Sequence, residues 1–241
     1  MSQNILAKQG SPRVQGLFPL KMRNVDDLFP GFAEGDFAVL HGSHAIQSIV
    51  TLLSIRSQLP PQLGGLGSNV IYIDGANTFR LYQTTRLARL FHLDPKQALD
   101  RIYISRAFTA YQMTSLVLQK LEDAVKSCNA KLVIISDIPA MFLDKDVEEE
   151  EAKRIYSQVI TRLAKFAKES QTIVVITYPP HAQTSRSMYL HALTTGRANI
   201  VLAFNQTRYE QEVILEKHPT FTPGSAELQT EILPITAFME A

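Results

Sequence analysis

The run Gly35-Asp36-Phe37-Ala38-Val39-Leu40-His41-Gly42 reads as an apolar strand ending on a glycine, the place where a phosphate-binding loop would begin. Such a loop has the pattern G-x-x-x-x-G-K-[ST]. Its glycines let backbone N–H groups wrap phosphate oxygens, its lysine reaches the outer phosphates, and its hydroxyl holds Mg²⁺. Here Gly42 is followed by Ser43-His44-Ala45-Ile46-Gln47-Ser48-Ile49. Gln47, Ser48 and Ile49 therefore stand where the second glycine, the lysine and the hydroxyl residue belong, and no nearby offset supplies a lysine. The surroundings of the motif are present and its chemistry is missing. His41 and His44 lie close together without a third or fourth ligand, so they read as structural residues and no metal is expected.

The elements that would position these residues alternate along the chain. Apolar runs suited to buried parallel strands are Phe37–His41, Asn69–Asp74, Ile102–Ser105, Leu132–Ser136 and Thr172–Thr177. Helical patterns fall between them at Ile49–Gln58, Thr78–His92, Tyr111–Ser127 and Glu148–Glu169. The last carries Ile155, Val159, Leu163 and Phe166 at three- and four-residue spacing, a core-facing stripe. This alternation predicts a parallel sheet covered on both faces. Towards the end, Ile200–Phe204, Tyr209–Lys217 and Ala226–Leu233 read as strands joined by turns, an antiparallel extension on one sheet edge. Residues 1–24, with Gly10, Pro12, Gly16 and Pro19, read as an irregular arm, and residues 25–241 as a single domain.

Composition bounds the function classes. The chain has 241 residues, 45% hydrophobic and 20% charged, which suits one ordinary globular α/β domain. A net charge of +1 gives no general attraction for nucleic acid or an anionic membrane, so any DNA contact must come from a local patch. The single cysteine, Cys128, excludes an intramolecular disulfide framework. The first twenty residues have no apolar signal region, and no apolar run approaches roughly eighteen residues. An intracellular protein with no membrane partner is expected.

Several segments together resemble the ATPase core of the RecA/Rad51/RadA recombinases, from about Val25 to about Leu233. They are Gln58-Leu59-Pro60 with Gly64-Gly65; Ile71-Tyr72-Ile73-Asp74 followed by Asn77-Thr78-Phe79-Arg80; Arg101-Ile102-Tyr103-Ile104-Ser105-Arg106-Ala107-Phe108; and Val213–Pro219 with Pro223–Glu227. The resemblance implies a RecA-like P-loop NTPase fold: α/β, with a mostly parallel central sheet flanked by helices and a C-terminal antiparallel extension.

It also implies where the family's chemistry should lie. The water-activating carboxylate after the second core strand corresponds to Ala76, which cannot accept a proton, while nearby Asp74 reads as a turn cap. The Mg²⁺-organising acid corresponds to Ser136. Asp137 follows it, and because successive strand residues face opposite ways its carboxylate is expected to point away from the site. The polar sensor after the fifth core strand is replaced by Tyr178-Pro179-Pro180, which lacks the sensor's amide. Gly42, Ser43, His44, Gln47, Ser48, Ala76, Ser136 and Asp137 thus outline a degenerate nucleotide site, with no enzymatic activity and no cofactor expected.

The family's first DNA loop corresponds to Leu143–Glu151, whose acidic run would repel phosphates and reads as favourable acid at a helix N-terminus. The second lies within His181–Asn199. There His181, Arg186, His191 and Arg197 could contact a nucleic-acid backbone and Tyr189 could stack on a base; a mobile polar surface loop is the other reading. A typical recombinase also carries an N-terminal helical domain and a polymerisation linker with a Phe-x-x-Ala motif; neither is read here, which argues against long self-assembled filaments. The resemblance implies a noncatalytic paralogue that binds a RadA/Rad51-type recombinase or another paralogue and regulates recombination and repair, with weak or indirect DNA binding. The alternatives are a nucleotide-binding switch or ATPase with an unusual phosphate site that uses His44 or a partner's residues, and a KaiC-like signalling module.

Overall fold

A computed structural model describes residues 16–206 and 211–228. Its centre is a sheet of eight described strands: β1 (Phe37–Gly42), β2 (Asn69–Asp74), β3 (Ile102–Arg106), β4 (Ala130–Ser136), β5 (Ile173–Tyr178), β6 (Ile200–Gln206), β7 (Gln211–Lys217) and β8 (Gly224–Glu227). Their order is β3-β2-β4-β5-β1-β6-β7-β8. All pairs from β3 to β6 are parallel; β7 and β8 add antiparallel. This is the mostly parallel α/β sheet with an antiparallel tail that the alternation predicts. The parts of the expected spans Tyr209–Lys217 and Ala226–Leu233 that fall on 209–210 and 229–233 lie outside the described residues.

The inner strands are Val- and Ile-rich because both of their faces are buried. Alternate side chains feed two cores. Phe37 and Val39 of β1, Val133 and Ile135 of β4, and Val174 and Ile176 of β5 point to one. Ala38, Leu40, Leu132, Ile134, Ile173 and Val175 point to the other. The first core is closed by α5 (Ala110–Ser115), a π-helical turn (Leu116–Lys120), α6 (Leu121–Cys128), α7 (Glu149–Ser170) and α8 (Ser185–Arg197). The second is closed by α1 (Val25–Leu28), α2 (Ile46–Arg56), α3 (Leu81–Leu90) and α4 (Pro95–Asp100). Residues 16–24 have little regular structure, yet Phe18 and Leu20 are buried in this second core, and Phe18 bridges Phe32. Residues 1–15 of the expected arm lie outside the described residues.

Three helical assignments differ from the sequence reading. The Thr78–His92 pattern becomes a helix only from Leu81, because the Asp74 carboxylate takes the N–H groups of Thr78 and Phe79 into a turn. Pro95–Asp100 is a short helix that the hydrophobic period did not reveal. Its signal was local: the Asp94 side chain accepts from Gln97 N, and Pro95 occupies the first turn. The segment read as a polar loop, His181–Asn199, contains α8. Thr184 caps it by accepting from Ser187 N, and it buries Ser187, Leu190 and Thr194 on one side. Two of those three inward residues are hydroxylic, so the apolar stripe that marks an amphipathic helix is nearly absent.

Candidate functional site

Strands β1, β2, β4 and β5 deliver their C-terminal ends to one edge, where a cleft of about 840 Å³ opens between the starts of α2 and α3. Its lining includes His44, Gln47, Asn77, Arg80, Asp137 and Thr177. Crevices at the carboxyl ends of parallel strands are the usual ligand positions of open α/β sheets.

The β1–α2 connection is short, only Ser43-His44-Ala45. Gly42 has φ of 99°, and a Cβ there would sit 2.5 Å from the Phe204 carbonyl oxygen, so glycine is required twice over. Ser43 N donates to that same oxygen at 2.6 Å. The next N–H groups also turn inward. Ala45 N donates to Ser43 Oγ (3.1 Å), Ile46 N to Ser43 O (3.3 Å), Gln47 N to His44 O (3.2 Å), and Ser48 N and Ile49 N to Ala45 O (2.9 and 3.3 Å). Gln47 and Ser48 lie on α2, and Gln47 Nε2 donates to the Tyr72 hydroxyl at 2.6 Å.

Asp74, fully buried at the end of β2, organises the neighbouring turn. Its Oδ1 accepts from Thr78 N (2.8 Å), Thr78 Oγ1 (3.1 Å) and Ser136 Oγ (2.9 Å), and its Oδ2 from Phe79 N (3.0 Å). Ser136 thus serves Asp74. Ala76 lies in the turn between Gly75 and Asn77; Asn77 has φ of 54°.

Asp137 departs from the expected direction. Its φ is 47°, left-handed, so the strand's alternation stops before it. Asp137 lines the cleft; its N–H donates to Thr177 Oγ1 at 2.7 Å, and its Oδ1 lies 2.8 Å from Nε2 of His181, which lines a neighbouring pocket beside Tyr178. Aspartate tolerates this backbone better than most residues.

The residues read as possible DNA contacts are largely engaged within the fold. His181 pairs with Asp137. Arg186 Nη1 donates to the carbonyls of Phe142 (3.4 Å) and Asp144 (2.9 Å), tethering α8 to the segment before α7. Lys153 lies over the Tyr189 ring, 5.5 Å from its centroid. His191 packs edge-on against His41 and Tyr178, with ring centroids 4.8 and 4.9 Å away. Arg197 is exposed in the last turn of α8. In the acidic run, Glu148 caps α7 by accepting from Glu151 N at 2.7 Å, and Glu149, Glu150 and Glu151 fill the first turn.

His41 Nε2 meets Glu216 Oε2 at 2.8 Å, joining the central sheet to β7. Burial and then the neighbouring His41 hold the His191 imidazole below its usual range, against the pull of Glu216. A depressed histidine pKa means that the unfolded chain binds the proton first, so stability should fall as pH drops below about 6.5 and level off once the folded pKa is passed. Thermal melts across that window should show a smaller acid-induced drop in His191→Asn than in the wild type; equal drops would remove the assignment. His218, also depressed by burial, contributes in the same direction in both proteins.

Among the described residues, no group of three or more His, Cys, Asp or Glu side chains is placed to hold a metal ion, and no helix is long and apolar enough to cross a membrane.

The Rad51 family model matches residues 24–203, which spans the first five strands, the start of β6 and the whole cleft. The DNA repair and recombination protein RadA of Aeropyrum pernix is 30% identical to the chain over 123 residues, 51% of this chain. That match spans 35% of the relative's length. A sheet of this order, with its cleft between the β1 and β2 turns, and a family match across most of the chain lead to one conclusion: the chain belongs to the Rad51 family.

Proposed function

We propose that this chain is a noncatalytic Rad51-family subunit that acts in recombination and DNA repair by binding a RadA/Rad51-type recombinase or a second paralogue. The observation that supports the loss of catalysis most directly is the β1–α2 turn. A triphosphate needs outward N–H groups and a cation there, but Ser43, Ala45, Ile46, Gln47, Ser48 and Ile49 all donate inward and no lysine is present. The residues of the turn do not fit ATP and Mg²⁺. Ala76 offers no base, and Ser136 is committed to Asp74. Each missing group acts on transition-state charge or on water, so their joint loss leaves no route for hydrolysis.

The partner rests on the relationship. Family cores meet head to tail, and heterologous contacts of that kind propagate unless a subunit ends them. A subunit without hydrolysis can cap, load or restrain such an assembly. Phe238-Met239-Glu240-Ala241, which the sequence reading passed over, has the Phe-x-x-Ala spacing of the recombinase linker, although it follows the core and lies outside the described residues.

Purified protein is expected to show no ATP turnover above background, with or without DNA. It is also expected to co-elute with the recombinase or a paralogue of the same cell and to change its strand exchange. Turnover that tracks the protein and disappears on His44→Ala or Asp137→Ala would establish the alternative, an ATPase with an unusual phosphate site. Absence of any complex, with strand exchange unchanged across excess concentrations, would reject the recombinase reading. Deleting residues 238–241 tests the motif as the contact.

A further inference from the structure

Helix α3 carries a surface that neither the family match nor the sequence reading assigns. From Gly75 to Leu93 the chain has no Asp or Glu and three arginines, Arg80, Arg86 and Arg89, within a protein of net charge +1. The flanking carboxylates do not neutralise Arg80 or Arg89: Asp74 is buried, committed to its turn and 3.9 Å from Arg106 Nε, and Asp94 caps α4. Tyr82, Arg86 and Arg89 stand at i, i+4 and i+7, one helical face. Tyr82 is 88% exposed, the most exposed of the large apolar and aromatic side chains described. Arg80 and Arg89 are exposed and form no ion pair among the described residues. Arg80 and Tyr82 also line the mouth of the cleft, so the stripe runs from the helix surface into it.

We infer that this α3 face binds single-stranded nucleic acid, with Arg80 and Arg89 on the phosphates and Tyr82 stacked on a base. Exposed aromatic rings interleaved with cations are how such strands are held without sequence preference. A carboxylate-free basic stripe concentrates a polyanion that the near-neutral protein as a whole does not attract. The surface is separate from the positions expected from the family's loops. α3 buries Leu87 and Ala88 in one core, whereas α8 buries Leu190 in the other, across the sheet. Those loop positions are also poorer candidates, because Arg186 is tethered to carbonyls and the run before α7 is acidic.

The test is fluorescence anisotropy with a labelled oligothymidine of about 16 nucleotides, titrated at several salt concentrations. Wild type is expected to bind at low salt and weaken as salt rises. Arg80→Ala with Arg89→Ala should lower the slope of log K against log salt by about 1.4, since each neutralised phosphate contributes about 0.7 for a single strand. Tyr82→Ala should weaken binding on the order of tenfold while Tyr82→Phe preserves it. Melting temperatures should stay at the wild-type value, because the altered side chains are exposed. Arg186→Ala with Arg197→Ala should leave the affinity unchanged. No binding by the wild type, wild-type affinity in the α3 variants, or a loss that follows Arg186 and Arg197 would each overturn the inference. Displacement by polyglutamate at equal affinity, insensitive to Tyr82→Ala, would also overturn it and assign the face to an acidic protein. The outcome is independent of recombinase binding, which is read by co-elution without DNA.

Discussion

Replacing Asp74 by alanine is expected to destabilise the protein by about 3 kcal/mol or more, seen as a melting temperature lower by about 10 °C. The carboxylate is fully buried and accepts from two backbone N–H groups and two hydroxyls at 2.8–3.1 Å. Removing it strands buried donors on β4 and in the β2–α3 turn, and each unsatisfied donor costs about 1–3 kcal/mol. The terms do not add in full, because Thr78 and Phe79 are only partly buried and water can reach the turn. Asp74→Asn retains one accepting oxygen and should lose less. Urea unfolding gives the check: the midpoint should fall with the slope unchanged. An unfolding free energy within about 1 kcal/mol of wild type would mean that the carboxylate does not organise the turn.

Gly42→Ala is the second change with a large expected effect, again about 3 kcal/mol or more. Two independent costs coincide there. A φ of 99° strains any residue with a Cβ, and that Cβ would lie 2.5 Å from the Phe204 carbonyl oxygen on β6. Relief requires β1 and β6 to separate just where Ser43 N donates to the same oxygen. Amide exchange should therefore accelerate along the end of β6 as well as at the turn. A variant as stable as wild type, with unchanged exchange at Phe204–Gln206, would show that the turn is not held against β6.

Both changes act on the edge of the sheet where an active family member would handle nucleotide. In this chain the groups there are used to build structure. Ser136 serves Asp74, Gln47 serves Tyr72, and the N–H groups of Ala45, Ile46, Gln47, Ser48 and Ile49 close their own turn.

Much of this was legible in the sequence because it is local or periodic. The Val- and Ile-rich runs at Phe37, Asn69, Leu132 and Ile173 are short, continuous and set between helical patterns, which marks them as buried strands. The run at Ile102, expected to be buried too, is the sheet's edge strand, with Tyr103 and Ile104 exposed, because no further strand pairs beyond it among the described residues. The stripe Ile155, Val159, Leu163, Phe166 had to be the inner face of α7, and all four residues are in one core. The missing lysine and the alanine at position 76 are facts of the sequence that no folding alters.

The tertiary structure decided what depends on partners distant along the chain. Asp137 meets His181 because one left-handed dihedral, held by Thr177 forty residues away, cancels the alternation of its strand. Arg186 looked free for phosphate, but the carbonyls of Phe142 and Asp144 reach it only after α8 has docked beside α7. α8 itself escaped the hydrophobic period because Ser187 and Thr194 face inward, and they can do so because Tyr178 and Tyr156 offer hydroxyl partners. The exposed face of α3 became a surface only once Leu87 and Ala88 had fixed which side of the helix is buried. Periodicity reports the element a residue belongs to. Where its side chain points, and whether it is still available to a ligand, is set by hydrogen bonds and burial that close only across the folded sheet.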